Sequence, residues 1–168
     1  MTFVRNAWYV ASWAHDLTTE PQAETILSEN VVLWRGEDGK VRAAENVCPH
    51  RFLPLSQGRV QGNELQCGYH GLTFDTSGNC VDIPGQKNIP PQAHVQAFPM
   101  VERNEILWIW MGEAALADEA LLPDWWWVDH PGWAHNPGAF LHIQCHYELI
   151  TDNLLDLSHL AYVHIGNI

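Results

Sequence analysis

The chain has 168 residues, 46% of them hydrophobic, and 20 acidic against 8 basic side chains leave a net charge of −12. That length holds one well-packed core, or one domain and the beginning of another. The charge counts against nucleic acid and against an anionic membrane as partners, because both reward a basic face.

No apolar run reaches the roughly 18 residues that a membrane helix needs. The start, Met1-Thr2-Phe3-Val4-Arg5, lacks the charged-then-apolar pattern of a secretory signal. A cytoplasmic protein that binds neither membrane nor nucleic acid is therefore expected.

Taken in order, residues 3–13 are rich in aromatic and branched side chains, with Trp8, Tyr9 and Val10 in a row, and predict a strand or sheet edge; 12–16 suit a short helical turn. Residues 25–34 predict two strands joined by a turn at Glu29-Asn30, and Glu37-Asp38-Gly39-Lys40 is a strong hairpin signal. Residues 41–47 lead into Cys48, 64–66 lead into Cys67, and 72–74 lead out toward a turn at 76–79. Short strands with turn signals every eight to twelve residues or so predict an all-β sandwich or barrel.

Pro84-Gly85-Gln86 and Pro90-Pro91 predict a loop, since proline cannot donate to a strand ladder. Residues 95–100 and 106–110 predict two strands around 102–105. There Trp108 and Trp110 alternate with Leu107 and Ile109, so both faces should be covered. A first domain over 1–112 is expected, followed by a linker over 113–138 with a short helix at 114–122 ended by Pro123. Trp125-Trp126-Trp127 suits a stacking platform, although packing is the commoner use of such a run.

From 139 to 149, Phe140, His142, Gln144 and His146 alternate with Leu141, Ile143, Cys145 and Tyr147, which predicts a strand with one wet face at the start of a second domain, 139–168. Cys80 and Cys145 are expected as reduced core thiols. His15, His94, His130 and His135 read as structural, and His142 and His146 as structural or near a pocket.

Two short stretches carry the chemistry. Cys48-Pro49-His50 is followed by sixteen residues and then Cys67-Gly68-Tyr69-His70. Each stretch offers one thiolate and one imidazole, the ligand set of a Rieske [2Fe–2S] cluster, in which histidines replace cysteines on one iron. A structural zinc site is the alternative, but zinc fingers pair Cys with Cys and His with His at their own spacings. Pro49 stiffens the first loop, and Gly68 and Gly71 permit tight turns in the second.

Further on, Asp152-Asn153-Leu154-Leu155-Asp156-Leu157-Ser158-His159 precedes His164. Two histidines and a carboxylate form the facial triad of non-haem Fe(II). Asp156 and His159, three apart, share a face on a helix, whereas His164 requires the helix to bend or end after His159.

These motifs, together with Asn6-Ala7-Trp8-Tyr9-Val10-Ala11, Ile83-Pro84-Gly85-Gln86, Val101-Glu102-Arg103 and Trp108-Ile109-Trp110, make nearly the whole chain resemble the N-terminal part of the oxygenase component of Rieske non-haem iron oxygenases. It is most similar to the vanillate and dicamba O-demethylase and toluenesulfonate methyl-monooxygenase branch.

The resemblance implies a mainly β fold, with an N-terminal Rieske β-sandwich followed by the truncated start of an α+β helix-grip catalytic domain. Cys48, His50, Cys67 and His70 would bind the [2Fe–2S] cluster. His159 and His164 would bind mononuclear Fe(II), with the third ligand, an aspartate, beyond residue 168. Asn153 would sit beside the iron, and Asp156 would bridge electrons from His70 of a neighbouring subunit in a homotrimer.

A separate reductase or ferredoxin would deliver electrons from NAD(P)H, and O2 would hydroxylate a methyl or methoxy group of a small aromatic substrate. The 168 residues alone are expected to be inactive. An electron-transfer-only Rieske protein, or a catalytically incomplete fragment, is the alternative.

Overall fold

The computed structural model describes residues 3–136, 138 and 140–166. Met1, Thr2, Pro137, Ala139, Asn167 and Ile168 lie outside the described residues, and with them the readings made on the first two residues, on Pro137 and on the first position of the strand expected from 139. The chain forms two compact bodies, Met1–His135 and Asn136–Ile168.

The first body is built on β3 (Glu29–Arg35), whose Val-Val-Leu-Trp run is buried on both faces. It pairs with β2 (Gln22–Ile26) and β4 (Val41–Glu45), and β4 pairs with β9 (Ala97–Phe98), giving an antiparallel sheet ordered β2-β3-β4-β9. Because strand side chains alternate, Val31, Leu33 and Ala43 enter one core and Val32, Trp34 and Ala44 the other.

The first core is completed by Leu107, Ile109 and Met111 of β11 (Ile106–Met111). That strand lies between β1 (Ala7–Trp13) and β10 (Met100–Arg103). The second core is completed by a sheet of β5 (Arg59–Gln61), β6 (Glu64–Gln66), β7 (Thr73–Phe74) and β8 (Cys80–Asp82), through Leu65, Phe74 and Cys80. Cys48 and Cys67 belong to this second core.

The opposite face of β11 is covered from the segment expected as linker. Leu122 is buried against Ile106 and Trp108, and Trp125 packs on Trp108 with ring centroids 5.6 Å apart. Trp8 donates its indole N–H to the Asp118 carbonyl at 2.8 Å. Trp126 and Trp127 remain exposed and stack edge-to-face on each other, so of the three Trp125 alone packs against the core.

Several local expectations are corrected. The first hairpin turns at Leu27-Ser28, two residues before Glu29-Asn30, with φ of 51° and 65°. These left-handed values make a primed turn without the usual Asn or Gly signal. The 95–100 strand is interrupted at Pro99, whose missing N–H ends β9 before β10 begins. The turn after β1 occupies 14–16 rather than starting at Ser12.

The helix expected over 114–122 is instead two 3-10 turns, Ala114–Leu116 and Glu119–Leu121, separated where Asp118 accepts from Ala120 N–H and starts a new turn. No strand forms over 140–146. Extended backbone becomes a strand only beside a partner, none pairs with it among the described residues, and the chain enters helix α1 (Tyr147–Leu155) at Tyr147. Cys145, expected in a core, is exposed. Helix α2 (Leu160–Val163) completes the second body.

Candidate metal centres

Loops after β4 and after β6 share one backbone frame. In the first, Cys48 N–H bonds the Leu53 carbonyl at 2.9 Å and Phe52 N–H bonds back to the Cys48 carbonyl at 2.9 Å. In the second, Cys67 N–H bonds Leu72 at 2.8 Å and Gly71 N–H bonds Cys67 at 3.2 Å.

The residue four past each cysteine is left-handed, Phe52 at φ 59° and Gly71 at φ 76°. A Cβ on Gly71 would lie 2.9 Å from Pro84 Cγ, and one on Gly68 would lie 2.5 Å from the Gln57 carbonyl oxygen. Glycine is therefore required at 68 by close backbone approach, and at 71 it is favoured by the left-handed backbone together with the contact with Pro84.

The frame sorts the four donors by depth. Cys48 and Cys67 are buried, 2% and 3% exposed, whereas His50 and His70 lie at the surface with ring centroids 4.6 Å apart. Burial, with the neighbouring Cys67 thiol, pushes the Cys48 thiol up to about 11. A thiolate pair in this apolar setting needs a cation to neutralise it. Two buried sulfurs behind two exposed imidazoles fit a binuclear group, one side of which prefers thiolate and the other imidazole. Beside the histidines, Pro49, Ile83, Pro84, Pro90 and Ala93 help to line a cleft of about 450 Å³.

In the second body, Asp152 and Asn153 lie on α1, and the helix ends at Leu155 rather than running on through His159. Asp156 caps the end at φ −85° and ψ 93°, so it and His159 do not share a helix face; the break precedes His159 instead of following it. The Asp156 carboxylate accepts from Ser158 N–H at 2.9 Å and from Ser158 Oγ at 2.5 Å, which holds it below its ordinary range.

His159 Nδ1 sits 2.6 Å from the main-chain oxygen of Asp156, and the rings of His159 and His164 are 5.5 Å apart. Among the described residues no carboxylate joins this pair to make a three-ligand group. Imidazole donors of this kind suit ferrous iron.

Sequence reading leaves out Gln66, which bonds the Thr73 hydroxyl, Thr73, which bonds the Gly71 carbonyl, and Ser158, which bonds the Asp156 carboxylate. The matched spacing of Cys48 to Leu53 and Cys67 to Leu72 is the visible signal of the common frame.

Residues 7–99 match the family described as Rieske [2Fe-2S] domain, and residues 143–168 match the vanillate O-demethylase oxygenase C-terminal domain. The chain is 48% identical over 163 residues to the toluene-4-sulfonate monooxygenase system iron-sulfur subunit of Comamonas testosteroni, covering 96% of this chain and 47% of that one. It is 46% identical over 168 residues to the dicamba O-demethylase oxygenase component of Stenotrophomonas maltophilia, covering 99% and 49%.

The crystal structure of dicamba monooxygenase with non-heme iron and dicamba superposes with a TM-score of 0.88 at 45% identity, over 95% of this chain and 49% of that chain. The chain spans about half the length of the curated relatives it matches.

Proposed function

From a chain that belongs to the Rieske [2Fe-2S] domain family, we propose the electron-accepting half of a terminal oxygenase that hydroxylates a methyl or methoxy substituent of an aromatic compound. The observation that carries this reading is a second histidine pair, His159 and His164, in the same chain as the cysteine and histidine loops. An electron-transfer-only Rieske protein has no use for it. The monooxygenase and O-demethylase names of the relatives supply the reaction class.

In this reading Cys48, Cys67, His50 and His70 hold the cluster, and His159 and His164 hold the iron together with a carboxylate. When bound, the two groups supply one-electron transfer and O2 reduction. The chain's own residues do the rest. Burial of Cys48 and Cys67 keeps water from the sulfurs, and exposure of His50 and His70 makes the imidazole side the route by which electrons leave.

The Asp156 main chain fixes the His159 tautomer, while its carboxylate receives His70 of a second copy in a homotrimer. Asn153, on the helix leading to Asp156, stands beside the iron site. One oxygen atom of O2 enters a substrate C–H bond. The other leaves as water, with two electrons delivered from NAD(P)H through a reductase or ferredoxin and two protons, one released by NAD(P)H and one from solvent. A hydroxylated methoxy carbon then departs as formaldehyde.

The deciding experiment is substrate-dependent O2 uptake by the full-length protein, including the carboxylate expected beyond residue 168, with a supplied reductase, alongside electron paramagnetic resonance of the reduced protein. A Rieske spectrum that disappears in Cys48→Ser, with coupled O2 uptake, is expected. A spectrum that survives Cys48→Ser removes the cluster assignment, and a spectrum without uptake favours the electron carrier.

A further inference from the structure

The two ligand loops share a frame but are not closed in the same way. Around the first, Asn46 accepts from Ser56 N–H at 2.8 Å and donates to Ser56 Oγ at 3.1 Å, and these bonds end on Ser56, outside the loop. Around the second, the bonds run inward. Arg59 Nε donates to Gln66 Oε1 at 2.8 Å, Gln66 Nε2 donates to Thr73 Oγ1 at 3.2 Å, and Thr73 Oγ1 donates to the Gly71 carbonyl at 3.2 Å.

A hydroxyl has one proton, and here Thr73 receives one bond from the Gln66 amide, so its own proton goes to Gly71. The chain is thus directional, starting at a guanidinium and ending on the carbonyl of Gly71, the residue after His70. Hydrogen bonds in series polarise one another. Thr73 is also the buried polar side chain among the described residues, 4% exposed, so its bonds are shielded from competing water.

We infer that Gln66 and Thr73 are positioning residues for His70: the Arg59–Gln66–Thr73 chain sets the orientation and electronic environment of that ligand and so tunes the potential of the cluster. This rests on the reading that Cys48, His50, Cys67 and His70 hold the cluster. Ligand orientation and hydrogen bonding around a cluster are general determinants of its potential. The structure supplies an asymmetry, because among the described residues no such chain enters the backbone of the His50 loop.

The test uses the whole 168-residue chain with its cluster reconstituted, comparing wild type with Thr73→Val, Thr73→Ser and Gln66→Met. Cluster content, melting temperature, the paramagnetic resonance spectrum of the reduced form and its potential are measured. Thr73→Val keeps the shape and removes the hydroxyl, and it should change the spectrum and shift the one-electron equilibrium about tenfold, roughly 59 mV, at unchanged cluster content.

Gln66→Met should do the same, and it carries the test should the valine variant fail to fold. Thr73→Ser should restore spectrum and potential while still melting lower, because it loses a buried methyl. Wild-type spectrum and potential in both Thr73→Val and Gln66→Met, with melting alone lowered, overturns the inference and leaves a purely structural role. A wild-type chain that shows no Rieske spectrum overturns the cluster reading itself.

Discussion

His159 Nδ1 lies 2.6 Å from the main-chain oxygen of Asp156, a contact between a ring nitrogen and an atom that only accepts. The proton therefore sits on Nδ1 and the lone pair on Nε2, the state in which a histidine binds metal. Because the acceptor is backbone, Asp156→Ala leaves this orientation in place while removing the carboxylate. In the full-length protein, iron and cluster contents should stay at wild-type levels, whereas substrate-dependent O2 uptake should fall about 10–100-fold. Uptake at the wild-type rate would dismiss Asp156 as the bridge.

Gly68 and Gly85 make a matched pair of glycine substitutions. A Cβ at 68 meets the Gln57 carbonyl oxygen at 2.5 Å, inside the second ligand loop. At Gly85, φ is +79° but nothing lies within 4 Å. Gly68→Ala should abolish cluster uptake, measured as iron and sulfide per chain. Gly85→Ala should cost only the left-handed penalty of about 1–2 kcal/mol and keep the cluster.

Trp125 holds the 113–135 segment against β11 through Trp108, and the Asn104 side chain adds a bond to the Trp125 carbonyl at 3.2 Å. Trp125→Ala removes the ring and leaves the ligand loops untouched. Amide exchange over 114–130 should accelerate, with a loss of about 1–3 kcal/mol of local protection, while the cluster spectrum stays unchanged. Uniformly faster exchange across β3 and β4 would show that the segment is instead integral to the main core.

Asp38 and Arg42 form a two-bond fork at 3.0 and 2.6 Å across the β3–β4 hairpin. The Arg42 guanidinium lowers the Asp38 carboxyl from 3.8 to about 2. A depressed carboxyl stabilises the fold fully above its unfolded value, and that contribution is lost as pH falls through the folded value. The Asp38 side-chain resonance should titrate near 2, and Arg42→Met should raise that midpoint, because the guanidinium is the largest cause of the depression. A wild-type midpoint near 3.8 would mean that the fork does not form in solution.

Much of the β architecture was readable because it is locally encoded. Glu37-Asp38-Gly39-Lys40 turns where expected, with Gly39 at φ +77°, and 106–110 is buried on both faces as its alternation implied. The first hairpin was misplaced by two residues because Leu27 and Ser28 adopt left-handed backbone with no residue-type signal. The 140–146 segment alternates like a strand, yet alternation describes a face and does not supply a hydrogen-bonding neighbour.

The sequence by itself determined which side chains can bind metal, since thiolate and imidazole are properties of residue type and their spacing survives folding. Tertiary structure decided what those groups experience. Packing between two sheets buries Cys48 and Cys67 and leaves His50 and His70 at the surface. A helix break places the Asp156 carbonyl on His159. The Arg59–Gln66–Thr73 chain forms because strand pairing brings β5, β6 and β7 side by side. Burial and hydrogen bonding depend on segments distant in the chain, and those meet only when the sheets assemble.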